Sequence, residues 1–126
     1  MRGRLMPVVE QYARAHIVTD DDSVDEHGAV PVALRYDPEN DPHSVRIALP
    51  GPHEWRFPRS LLEQGLRAPV GSGPVRVWPC GRVQAVVEFH SAQGVSVVEF
   101  ETRTLLRFLR RTYTAAAATS RAMVHH

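Results

Sequence analysis

Apolar and polar residues alternate along most of this chain, and the period lengthens to a helical one only twice. The stretch from Val8 to Val18 mixes Val8, Val9, Tyr12, Ile17 and Val18 with polar residues. Its β-branched content favours a strand, although the alternation is imperfect and leaves a helix open. Asp20 to Gly28 carries five acidic residues and a glycine and reads as a solvated loop. Its carboxylates lack the spacing of a calcium loop. Ala29 to Tyr36 then places Val30, Val32 and Leu34 on one side of a period-two pattern, with Pro31 marking a strand start or an edge. After an Asp-, Asn- and Pro-rich turn from Asp37 to Pro42, Val45, Ile47 and Leu49 alternate with Ser44, Arg46 and Ala48. Pro50, Gly51 and Pro52 break the chain, and Glu54 to Phe57 resumes it with Trp55 and Phe57 on one face. This section predicts an antiparallel meander.

Beyond Pro58 the spacing of Leu61, Leu62 and Leu66 predicts one short helix that ends near Gly65. Gly71 to Pro74 reads as a turn, Val75 to Trp78 as a strand, and Pro79, Cys80 and Gly81 as the next turn. Val83 to Phe89 and Val95 to Phe100 form two further strands, joined as a hairpin through His90 to Gly94. Leu105, Leu106, Phe108 and Leu109 then predict a helix over Thr102 to Tyr113, which Ala115 to Ala118 can prolong. Roughly seven strands and two helices make an α+β domain dominated by antiparallel sheet. The expectation is a single domain over residues 1–126, with an ordered core about 8–113 and a tail over 114–126 that ends in His125 and His126.

Composition narrows the function classes. A chain of 126 residues suits one compact domain with a core that needs no covalent staples. Cys80 is the single cysteine, which excludes an internal disulfide and fits a reducing compartment. No signal peptide and no run of eighteen apolar residues is visible, so the expected location is the cytoplasm, without membrane insertion. The net charge of +1 gives little overall attraction to nucleic acid or anionic membrane. All fifteen basic residues are arginine, a bias best read as codon usage.

The search for chemistry finds no catalytic site, no cofactor motif and no metal set. None of the seven histidines forms an HExxH pair or lies at zinc spacing from a cysteine. Cys80 has Arg82 nearby but no indicated base. The Gly71-Ser72-Gly73 turn leads into a strand, whereas a phosphate loop leads into a helix. Arg103, Arg107, Arg110 and Arg111 fit a solvated helix face. Trp55, Phe57 and Trp78, with Arg56, Arg59 and Arg76 adjacent, could serve a single-stranded nucleic acid, yet each aromatic also fits a core position.

Five segments in order resemble the SsgA-like family of sporulation and cell-division proteins of filamentous actinomycetes. Leu34-Arg35-Tyr36-Asp37 looks like that family's L-R-Y-D strand end, and Asp41-Pro42-His43-Ser44-Val45 resembles its D-P-Y-A-V turn with His43 in place of tyrosine. Trp55-Arg56-Phe57-Pro58-Arg59-Ser60-Leu61-Leu62, followed by Gly65-Leu66, resembles W-x-F-x-R-x-L-L-x-x-G-L. Gly71 to Pro79 is similar to G-x-G-D-V-R-V-W-P, and Leu106 to Thr112 to the family's last helix, L-x-x-F-L-x-R-T. Pro74 replaces a common aspartate, and the turn at Cys80-Gly81 is shorter than in many relatives. The resemblance implies a whirly-like fold, with antiparallel sheets packed crosswise, a short middle helix and a C-terminal helix, assembled as a trimer. It implies a non-enzymatic adaptor of sporulation-specific division that meets FtsZ or another SsgA-like protein and gathers at septa. Because interface hot spots favour Trp and Arg, the candidate partner residues are Trp55, Arg56, Arg59, Arg76 and Trp78. The alternative is a single-stranded nucleic-acid-binding module, which the weak net charge disfavours.

Overall fold

In the computed structural model, which describes residues 7–18, 29–51 and 53–124, strand β1 (Val9–Val18) is shared between two meanders. Val9, Gln11, Ala13 and Ala15 point inward while Glu10, Tyr12, Arg14 and His16 point outward, which settles the strand reading. Residues Val9 to Ala15 pair antiparallel with β2 (Val30–Asp37), and His16 to Val18 pair with β8 (Gly94–Glu101). Outward from β2 lie β3 (Asp41–Ala48) and β4 (Glu54–Pro58). Outward from β8 lie β7 (Gln84–Ser91), β6 (Val75–Cys80) and β5 (Val70–Ser72). The result is one eight-stranded antiparallel sheet in the order β4-β3-β2-β1-β8-β7-β6-β5. The acidic stretch from Asp20 to Gly28 and the terminal His125 and His126 lie outside the described residues.

Because β1 changes partner partway along its length, the sheet curls and its two halves meet. Trp55 of β4 stacks on Phe89 of β7 with ring centroids 4.8 Å apart, and Phe57 lies 6.2 Å from the same ring. Between the halves lies the core, which includes Leu34, Tyr36, Ile47, Val77, Phe89 and Phe100. The tight turn after β2 is held by Asp37 Oδ1, which accepts from the backbone amides of Glu39 (3.2 Å) and Asn40 (3.1 Å).

Helix α1 (Arg59–Gly65) follows Pro58, whose extended backbone precedes the first helical turn without a side-chain cap. It buries Leu61, Leu62 and Gly65. A Cβ at Gly65 would stand 2.3 Å from Val77 Cβ, so only glycine lets the helix approach β6 this closely. Helix α2 (Thr102–Val124) buries Leu105, Phe108, Leu109 and Thr112 along one stripe. It overruns the core boundary expected at Tyr113: residues 114–124 continue the helix where a tail was read. The alanines from 115 to 118 have the best helix propensity, and Ala115 and Ala116 pack against the core.

Two further differences concern the second meander. Strand β5 was not foreseen, because Gly71 and Ser72 offer little strand propensity beside Val70 and the three residues pair only through β6. Pro79 and Cys80, expected in a turn, complete β6, and the turn spans residues 81–83 with Gly81 at φ 70°. Proline is tolerated there because β5 stops opposite Val77, leaving that side of β6 without a strand partner among the described residues.

Candidate functional site

The five candidate partner residues fall into three environments. Trp55 is partly buried, packs on the core and stacks on Phe89, so its ring helps hold the halves together. Arg59 opens α1 with its guanidinium 4.3 Å from the ring centre of Tyr113 and 5.3 Å from that of Tyr36. It also donates to the hydroxyls of Thr112 (3.3 Å) and Tyr36 (3.4 Å). Burial, opposed by Arg59, pushes the Tyr36 hydroxyl above its ordinary range. Arg59 therefore ties α1 to β2 and α2.

Arg56 lies on the outward face of β4 and grips Asp41 with two hydrogen bonds, Nε to Oδ2 at 2.7 Å and Nη2 to Oδ1 at 2.9 Å. The hydrogen bond from Arg56 holds the Asp41 carboxyl below the usual carboxylate range, and the same contact raises Arg56. Arg46 approaches the same carboxylate at 3.7 Å. This cluster satisfies itself.

Arg76 and Trp78 differ. Val75 and Val77 of β6 point into the core, so Arg76 and Trp78 share the outward face. Strand register sets Gly71, Arg76, Glu88, Val97 and Val18 in one row across that face, and Trp78, Val86, Glu99 and His16 in the next. Val86 is only 4% exposed despite facing outward, with the partly buried Trp78 directly opposite it. Glu88 stands opposite Arg76, yet its Oε1 lies 2.8 Å from Nε2 of His90. Arg76 is left with no ion pair or side-chain hydrogen bond among the described residues. Its stem passes over Gly71, where a Cβ would sit 3.1 Å from Arg76 Cγ.

Gly71, Arg76, Trp78 and Glu88, with Pro69 and Val70, line an open cleft of about 630 Å³. A free guanidinium beside a half-buried indole can hold a carboxylate bidentately while the ring packs on an apolar neighbour. The structure brings Arg76 and Trp78 together here and separates them from Trp55, Arg56 and Arg59. Gly71, Glu88 and His90 are the members that pattern reading missed. A glycine in a strand signals close approach, and Glu88 and His90 at i and i+2 share a strand face.

Among the described residues no group of three or more His, Cys, Asp or Glu is placed to hold a metal ion. Cys80 is exposed and free. No described helix is long and apolar enough to cross a membrane.

A family model for Streptomyces sporulation and cell division protein, SsgA, matches residues 30–120. The chain is 41% identical over 96 residues to the sporulation-specific cell division protein SsgB of Frankia casuarinae, covering 68% of this chain and 66% of that one. It is 40% identical over 90 residues to SsgB of Streptomyces coelicolor, covering 66% and 65%. The chain thus spans just under two thirds of the length of these two curated relatives. A solved structure from work linking mutations in SsgB to longitudinal cell division during sporulation of Streptomyces coelicolor superposes with a TM-score of 0.73 at 30% identity, covering 90% of this chain and 92% of that one. The crystal structure of an SsgA-like sporulation-specific cell division protein from Thermobifida fusca shares the fold, with a TM-score of 0.68 at 24% identity, covering 90% and 85%.

Proposed function

The chain belongs to the SsgA family of sporulation and cell division proteins, and from that premise we propose that it is a non-enzymatic adaptor of sporulation septation. It docks on the division machinery at the septum, from the cytoplasmic side, through the cleft at Arg76 and Trp78. Its partner there is FtsZ or a second member of the same family, and it works as a homo-oligomer, a trimer.

The observation that carries this reading is the guanidinium of Arg76, which has no side-chain partner among the described residues and whose cross-strand carboxylate is engaged by His90 beside a half-buried tryptophan. Arg and Trp in such a setting are the side chains that dominate protein interfaces. Arg56 and Arg59 already have partners within the chain, so this reading leaves them outside the interface.

The test is co-sedimentation of the full chain with polymerised FtsZ from the same organism at moderate salt. The adaptor reading expects specific pelleting that falls about tenfold with Arg76→Glu or Trp78→Ala and is unchanged by Arg56→Ala. Pelleting that ignores both cleft substitutions removes the cleft from the interface. No pelleting shifts the partner to another family member, to be tested by the same substitutions. Equilibrium sedimentation separates the trimer from a single chain of 14.1 kDa.

A further inference from the structure

A second surface runs along α2. Three large apolar side chains are exposed there: Val83 at 70%, Leu106 at 43% and Tyr113 at 39%. They are joined by two depressions of about 480 and 290 Å³ that share Thr102 and Leu106. The first runs from the β6–β7 turn at Arg82 and Val83 to the start of α2. The second runs between Leu66 at the end of α1 and Leu109 and Tyr113 of α2. Thr102, Leu106 and Tyr113 recur at helical spacing, so the track follows α2 for about three turns, roughly 17 Å.

Its rim is basic. Arg67, Arg82, Arg103 and Arg110 border the two depressions against two carboxylates, Glu63 and Glu101. Both carboxylates are engaged: Glu101 lies 3.5 Å from Arg103, and Glu63 accepts from the Tyr113 hydroxyl. Arg67, Arg82 and Arg110 form no ion pair or side-chain hydrogen bond among the described residues.

We propose that this groove receives an acidic amphipathic helix of a partner protein, its apolar stripe on Leu66, Leu106 and Val83 and its carboxylates on the arginine rim. An amphipathic helix fills a concave apolar groove of this length with anchors at i, i+3, i+4 and i+7. A second copy, across a two-fold axis or in the trimer proposed above, has no acidic helix to offer the arginine rim, since α1 carries only Glu63 and α2 carries no carboxylate. A flat anionic membrane leaves the groove unfilled, and a nucleic acid strand has no apolar stripe to offer it. The site shares no residue with the Arg76 cleft, so its fate is independent of the proposed function.

The probe is a fluorescein-labelled peptide of about 14 residues, four turns long, held helical by one Lys–Glu side-chain lactam on its outer face, with Leu at i, i+3, i+4 and i+7 and Glu at the remaining positions. Fluorescence anisotropy with the full chain should give micromolar binding that weakens with salt. The double reversal Arg67→Glu/Arg110→Glu should weaken it at least tenfold, and Leu106→Asp similarly, with circular dichroism and melting unchanged because these positions are exposed. Arg76→Glu should leave it untouched. Binding weaker than millimolar overturns the proposal, as does equal binding of a scrambled peptide or an unaltered affinity in the double reversal. So do a lower sedimentation mass in Leu106→Asp, which would assign the face to a second copy, and capture by phosphatidylglycerol vesicles without capture of the peptide.

Discussion

The two halves of the curled sheet share a strand, an alternation and a core, but their outward faces are built on opposite terms. On the β1–β4 half, Glu10, Arg35, Arg46 and Arg56 stand side by side on four neighbouring strands. Three arginines in register repel unless carboxylates intervene. Glu10 reaches Arg35 at 2.8 Å, Glu54 reaches it at 3.1 Å, and Asp41 serves Arg56 and Arg46 at 2.7 and 3.7 Å. On the β5–β8 half, the equivalent row carries a single arginine, Arg76, and the acid opposite it is turned toward His90. The face richer in charge is the self-contained one. The two faces therefore differ in how many of their charges lack a partner among the described residues, and not simply in how many charges they carry.

That contrast exists only while the halves are held together, and Phe89 is the side chain that both Trp55 and Phe57 rest on. Phe89→Ala removes a fully buried ring at their junction. The expected cost is about 3–5 kcal/mol, read as a fall in melting temperature of more than roughly 10 °C. A smaller loss would mean that β1 and the packing of α1 hold the halves together without this ring.

Arg59→Ala comes next. It removes two cation–ring contacts and the donor to Tyr36 and Thr112, and should cost about 1–3 kcal/mol in urea unfolding. Arg59→Lys should recover little, because an ammonium cannot cover two rings and two hydroxyls with one planar group. Either substitution disturbs the β1–β4 half and α2 while leaving the Arg76 cleft in place.

A strand with strict alternation was legible from the sequence, since Val45, Ile47 and Leu49 leave no second reading of period two. The last helix was legible to Tyr113, with an extension over Ala115 to Ala118 left open, but its end at Val124 was not, because the apolar stripe that reveals it gives way to alanines, which carry propensity without a face. Strand β5 was illegible because its Gly71 and Ser72 pair through backbone alone. The proposed cleft was half legible. Residue type picked out five Arg and Trp side chains, but type does not tell a satisfied guanidinium from an unmet one. Asp41 is fifteen residues from Arg56 in the chain and Glu88 twelve from Arg76, so only strand register decides which arginine is taken.

The comparison sharpens further with a matched pair of truncations. Arg35→Ala breaks two ion pairs whose members are 37–40% exposed, so after solvent screening the cost should be about 0.5–1 kcal/mol, shrinking in high salt. Arg76→Ala breaks none and should leave stability within about 0.5 kcal/mol at any salt. Equal costs for the two would show that Arg76 has a structural partner.

The smallest effect is the pH dependence of the charged face, and its sign follows from Asp41. The hydrogen bond from Arg56 holds the folded carboxyl below its unfolded value of about 3.9, so the folded state binds a proton less readily than the unfolded state. The contribution is therefore fully present above the unfolded value and is lost as pH falls through the depressed folded one. Melting curves of the wild-type chain and Asp41→Asn should differ by a constant amount from pH 7 to about 5 and converge below about pH 4. The Arg76→Ala chain should track the wild type across the whole range, since no carboxylate among the described residues is bonded to Arg76. If Asp41→Asn instead parallels the wild type down to the acid limit, the Arg56 pair is a contact without consequence, and the two faces differ in geometry but not in energy.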